Sequence, residues 1–93
     1  MNDPLVRRRG QLIEAEVDDE LIGLEVDQGT CFGFNRTATR IWALIETPKR
    51  FSELRDVLLG EYDVDAETCE RELEDLLRQL EADGLVEMDE SAA

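Results

Sequence analysis

The stretch GTCFGFNRTATRIW, Gly29 to Trp42, carries two patterns end to end. From Thr30 to Phe34, Phe32 and Phe34 fall on one face and Cys31 and Gly33 on the other, the period-two signature of a strand. From Ala38 the period changes, and Ala38, Ile41, Trp42 and Ile45 recur at helical spacing, with Asn35 or Thr37 placed to cap the helix. Pro48 disfavours helical geometry at Thr47 and ends it. A short strand running into a helix is the element from which the rest of the chain can be placed.

Upstream, Ile13, Ala15 and Val17 alternate with Glu14 and Glu16, which predicts a half-buried strand with its apolar set inward. Asp18-Asp19-Glu20 reads as a turn. Ile22, Leu24 and Val26 repeat the alternation, with Gly23 and Glu25 outward. Asp27-Gln28-Gly29 supplies a second turn, Gly29 being suited to a positive φ. Three strands joined by tight turns make an antiparallel meander whose first and third strands are edges.

Downstream, Ser52 is placed to cap a second helix with Leu54, Val57 and Leu58 inward, closed by Gly60, with Tyr62 packing back. Asp65 caps a third helix, about Ala66 to Asp83, with Cys69, Leu73, Leu76, Leu77 and Leu80 inward. Gly84 fits the position just past its end, where Leu80 and Leu85 make the accompanying apolar contact. The expected fold class is α+β, a three-stranded antiparallel sheet followed by three helices. Residues 1–10 and 89–93 read as disordered tails around one domain of residues 11–88.

With 93 residues, 42 % hydrophobic and 37 % charged, the chain is long enough for one modest core and too apolar for a disordered one. Its net charge is −14, and residues 11–34 hold seven acids and no base. Such a field repels phosphate backbones and anionic lipid, so nucleic acid and membrane are excluded as partners. The N-terminal MNDPLVRRRG lacks the apolar core of a secretion signal, and no apolar run reaches spanning length, which places the protein in the cytoplasm. There is no histidine, so imidazole base and imidazole metal ligand are both missing. Cys31 and Cys69 form no CxxC and read as free thiols. No cofactor, metal or catalytic residue is expected.

The third strand raises a separate question. Edge strands expose unpaired N–H and C=O groups, and natural proteins blunt them with charge, proline or bulges. Glu14 and Glu16 blunt the first strand, but TCFGF has neither charge nor proline. A helix could cover that edge; left open, it is a receptor for an extended peptide that adds as a fourth strand. On the third helix Glu70, Glu74 and Glu81 lie beyond Leu77, so this flank would give the edge a groove with an apolar floor and an acidic rim. The ordinary alternatives are core for Leu77 and a solvated face for the acids.

At LEVDQGTCFGFNRTATRIWALIE, Leu24 to Glu46, and at LLGEYDVDAETCERELEDLLRQLEADGLV, Leu58 to Val86, the chain resembles the PqqD-like family. The resemblance lies in Gly29, Phe32, Phe34 with Asn35, Thr37-Ala38 and Ile41-Trp42, in that order and spacing, and covers about residues 12–88. It implies a winged helix-turn-helix-like fold and a non-catalytic precursor-recognition element of ribosomally made, modified peptides. Such a protein binds a leader segment as a strand beside the third helix and presents it to a maturation enzyme: a leader peptidase, cyclase or radical enzyme. Carried onto this chain, the implied peptide-binding residues are Thr30, Cys31, Phe32, Gly33 and Phe34 with Glu70, Leu73, Glu74 and Leu77. Quinone-pathway members carry an Arg-Tyr-Asp-Gly-type segment where this chain reads RIWAL, so the resemblance favours the lasso-peptide type.

Two competing readings are a DNA-binding winged helix and a generic protein-interaction module. Seven acids against two arginines between Ala66 and Asp83 disfavour the first. Arg36 and Arg40, four residues apart against the acidic background, are expected to dock the enzyme. The bare edge allows a monomer or a weak dimer.

Overall fold

A computed structural model describes residues 3–90. In chain order the elements are strands β1 (Leu5–Arg8), β2 (Leu12–Val17), β3 (Glu20–Glu25) and β4 (Thr30–Phe34), then helix α1 (Arg36–Leu44) and strand β5 (Lys49–Arg50). Helices α2 (Phe51–Glu61) and α3 (Ala66–Ala82) and strand β6 (Val86–Asp89) complete the chain. The architecture is α+β with three helices, as expected, but it has two three-stranded antiparallel sheets rather than one.

The expected meander is present in the order β2-β3-β4, with β2 and β4 at its edges. Asp18 and Asp19 alone join β2 to β3, both at positive φ (55° and 67°), and Gly29 takes φ 68° before β4. The second sheet, β5-β1-β6, corrects the expectation of tails at 1–10 and 89–93. β1 pairs with β6 from Leu5↔Asp89 to Arg8↔Val86, and Val6 and Val86 enter the core. Its apolar run is too short to show a period, and its partner lies at the other end of the chain. Residues 1–2 and 91–93 of those expected tails lie outside the described residues.

Helix ends follow local chemistry with one exception. Asn35 caps α1, its Oδ1 accepting from Ala38 N–H at 2.8 Å. Gly84, at φ 77°, ends α3 with two bonds, Leu85 N–H to Leu80 C=O and Gly84 N–H to Glu81 C=O. Ser52 does not cap α2: Arg50 holds the cap position, and Glu53 Oε1 accepts from its backbone N–H. Ser52 donates instead to Asp3, from N–H and hydroxyl, both at 2.8 Å. β1 delivers that remote carboxylate, which a local cap rule cannot see. α2 also runs through Gly60, and Tyr62 follows its end.

The faces of the meander are the reverse of those expected for β2 and β3. Leu21 and Phe34 are buried, whereas Ile13, Val17 and Ile22 are 62, 57 and 45 % exposed. The two-residue turn pairs Val17 with Glu20, so Ala15 meets Ile22 and Ile13 meets Leu24 on one face. Their register across β4 places Cys31 and Gly33 there too. Phe34, on the opposite face, packs edge-on against Trp42 at 5.5 Å between ring centroids. Glu14 turns inward because Trp42 Nε1 donates to its carboxylate at 3.0 Å and Arg8 lies 3.8 Å away. The Arg8 guanidinium also stacks 4.3 Å from the Trp42 ring centroid. Alternation defines two sets of side chains; the polar partners on α1 and β1 decide which set is covered.

Candidate functional site

β4 ends its sheet, bonded to β3 on one side and to no strand on the other among the described residues. Two contacts fix its position relative to α1. Thr39 Oγ1 accepts from Leu21 N–H at 2.9 Å and donates to Phe34 C=O at 3.3 Å, so one side chain ties β3, β4 and α1 together. Phe34 is core, Phe32 is half-buried against that core, and Thr30, Cys31 and Gly33 are exposed.

Two depressions lie near the two ends of β4, one lined in part by α3 and the other in part by β4. One, of about 390 Å³, lies at the Asn35 end, with Leu58, Val64, Cys69, Leu73 and Leu76 forming its apolar lining and Glu72 its acid. The other, of about 520 Å³, lies at the Thr30 end, between Phe32, Thr30 and Asp27 on one side and Asp83 and Leu85 on the other. Cys69, Leu76 and Asp83 are seven residues apart, hence nearly in line along the helix. The N-terminal half of α3 thus shares a depression with Asn35, and the turn after its C-terminal end shares one with Thr30. The first has an apolar floor with Glu72 at its margin; the second is bordered by Glu25, Asp27 and Asp83, with Arg9 among them.

Of the four α3 residues named from the sequence, Leu73 alone lines either depression. Leu77 has no exposed area. Glu70 is turned to α2, where Arg55 Nη1 donates to it at 3.0 Å, and Glu74 lies 3.8 Å from Arg78. Leu76 and Glu72, on the far side of the apolar stripe, line the first depression with Leu73. Periodicity gives a stripe two flanks of equal standing, and α2 takes the Glu70 side. Leu76 was legible as an inward residue, and Tyr62 as one that packs back; Tyr62 lines the same depression.

Arg36 and Arg40 also differ from a free basic face. Arg40 holds Glu61 in a fork, Nε to Oε1 at 3.0 Å and Nη2 to Oε2 at 2.7 Å. Those hydrogen bonds hold the Glu61 carboxyl below the usual range and raise the Arg40 guanidinium. Arg36 is exposed beside Asp19 and Glu16, so the chain's own acids surround this patch.

The thiols differ in setting. Cys31 is exposed on β4, whereas burial, followed by the charges of Glu70 and Glu72, pushes the Cys69 thiol upward and leaves it a poor nucleophile. Among the described residues, no three His, Cys, Asp or Glu side chains are grouped to hold a metal ion. No helix of the described residues is long and apolar enough to cross a membrane.

A profile of the family described as Coenzyme PQQ synthesis protein D (PqqD) matches residues 20–86. The chain belongs to the PqqD family. The match runs from the first residue of β3 to the first of β6, and so includes β4 and α3. Two solved structures resemble this PqqD-family chain. TbiB1, in complex with the TbiA(beta) leader peptide, is 38 % identical, with a TM-score of 0.75 over 94 % of this chain and 98 % of that one. A lasso peptide synthetase B1 complexed with the leader peptide is 23 % identical, with a TM-score of 0.74 over 88 % and 96 %, a likeness of fold. No match was found among curated proteins.

Proposed function

We propose that this PqqD-family protein is a leader-peptide receptor. It takes the leader segment of a ribosomally made precursor as a fourth strand on β4, seated between β4 and α3, and presents it to a maturation enzyme in the cytoplasm. The observation that carries this reading is the edge itself: Thr30–Phe34 has no charge and no proline, and on its open side it bonds to no strand among the described residues. The solved complex of TbiB1 with a leader peptide, at 38 % identity, supports the same ligand class. Both similar structures hold a leader peptide, and one is a lasso peptide synthetase component, which supports a lasso-type pathway; the enzyme is a leader peptidase, cyclase or radical enzyme.

A DNA-binding winged helix is the competing reading, and the acidity of α3 disfavours it. Catalysis belongs to the partner: the chain has no histidine, and its buried thiol is shifted away from reactivity. Main-chain bonding on β4 supplies affinity, and the Leu73 and Leu76 floor with its acidic margins selects apolar anchors beside Lys or Arg.

The test is a fluorescence-anisotropy titration of labelled leader from the precursor encoded with this protein. Saturable one-to-one binding, weakened by a proline at Cys31 in a protein that still folds, is the expected result. A leader that leaves the anisotropy unchanged up to millimolar protein contradicts the proposal.

A further inference from the structure

The meander has a second face, opposite the one that meets the core. Ile13, Ala15 and Val17 of β2, Ile22 and Leu24 of β3, and Cys31 and Gly33 of β4 share it, and no helix of the described residues covers it. Exposed apolar residues scattered singly need no explanation, but a contiguous set on one sheet face marks an interaction surface. At Val17, Ile22 and Gly33 the face is hollowed: a β-carbon added at Gly33 would meet nothing within 4 Å. Asp18 and Glu20 border that hollow, and Asp27 lies in the other turn.

We infer that this outer face docks the maturation enzyme through an apolar segment of that enzyme flanked by Lys or Arg. Charge decides the occupant. The outer face and its two turns carry Asp18, Asp19, Glu20 and Asp27, and residues 11–34 hold no base, so two copies placed face to face would set these acids against one another. A cationic partner with an apolar centre suits both the face and its rim. The identity of that partner as a maturation enzyme rests on the leader-receptor reading; the docking face does not.

The position of the face gives it a second property. Side chains alternate across a sheet, so a strand added to β4 projects every second residue onto the outer face beside Cys31 and Gly33. An enzyme seated there touches protein and leader together, and its affinity rises when leader is bound.

The experiment uses the full chain with Ile13→Thr, Val17→Thr and Ile22→Thr together, which removes apolar area while keeping β-branched residues suited to strands. Binding of the purified leader peptidase encoded with this protein is measured by biolayer interferometry, with and without leader, and leader binding by anisotropy. The expected result is a loss of peptidase affinity of tenfold or more, with leader affinity within twofold of the parent and Arg36→Glu retaining peptidase binding. Peptidase affinity unchanged in the triple variant overturns the inference, as does its loss in Arg36→Glu alone. Sedimentation velocity showing a parent dimer that the threonines dissolve assigns the face to a second copy and also overturns it. Failure of leader to bind the parent sinks the leader reading, while peptidase binding still reads out the face.

Discussion

Trp42 Nε1 donates a 3.0 Å hydrogen bond to Glu14 Oε2, joining α1 to the acidic set of β2. Through this bond a carboxylate is held over the core side of the meander and isoleucine, valine and leucine are left outside. Glu14→Ala removes the acceptor and the Arg8 partner together. With the carboxylate partly exposed, the expected loss is about 1 kcal/mol, or roughly 4–8 °C in Tm for a domain of this size. Thermal unfolding followed by Trp42 fluorescence reads it; an unchanged midpoint means the bond contributes nothing.

The turn between β2 and β3 places two non-glycine residues, Asp18 and Asp19, at positive φ. A two-residue hairpin of this hand favours Asn-Gly. Asp19→Gly relieves the less tolerant side chain at φ 67° and is expected to stabilise the fold by about 0.5–1 kcal/mol. A fall in the chemical-denaturation midpoint refutes that account of the turn.

Asp3 carries a pH dependence. Its carboxyl is held below the usual range chiefly by the Ser52 backbone N–H; burial opposes this next, and the Ser52 hydroxyl and the charges of Arg50 and Arg55 add to the lowering. A depressed folded pKa means that the stabilisation is fully present above the unfolded carboxylate pKa and is lost as pH falls through the folded one. Asp3→Ala is therefore expected to be less stable than the parent at pH 7, with the two curves converging in acid below the ordinary carboxylate range. A difference that persists at the acid end shows that Asp3 acts by packing.

The two flanks of α3 separate by mutation. Leu76→Gln with Glu72→Lys alters the depression by Asn35 and is expected to weaken leader binding tenfold or more, about 1.4 kcal/mol. Glu74→Lys lies on the other flank, beside Arg78, and is expected to leave affinity within twofold. The reverse ranking, measured by anisotropy on variants with unchanged helical circular dichroism, moves the binding surface to the opposite side of the helix.

What could be read ahead of the coordinates is what local chemistry decides. Three meander strands, Gly29 in its turn, Asn35 as a cap and Gly84 past α3 all depend on residues within a few positions of one another. What could not be read depends on partners distant in the chain. Val6 pairs with Met88, and Asp3 reaches Ser52 and takes over the role expected of that side chain. Arg40 spends its guanidinium on Glu61, and Arg55 holds Glu70 against α2, while Leu76 rather than Glu74 lines the depression by Asn35. The edge strand was legible because its lack of charge is a local property; the helix flank opposite it was not.

The central claim is that β4 gains a strand, and amide hydrogen exchange of residues 30–34 tests it most directly. In an antiparallel edge strand alternate N–H groups point away from the sheet, so these should exchange fast in the free protein. With saturating leader, the account predicts strong slowing at alternate amides across Thr30–Phe34, in step with one another. Leader bound at saturation with those amides exchanging as fast as before, and protection appearing elsewhere on the protein, contradicts it.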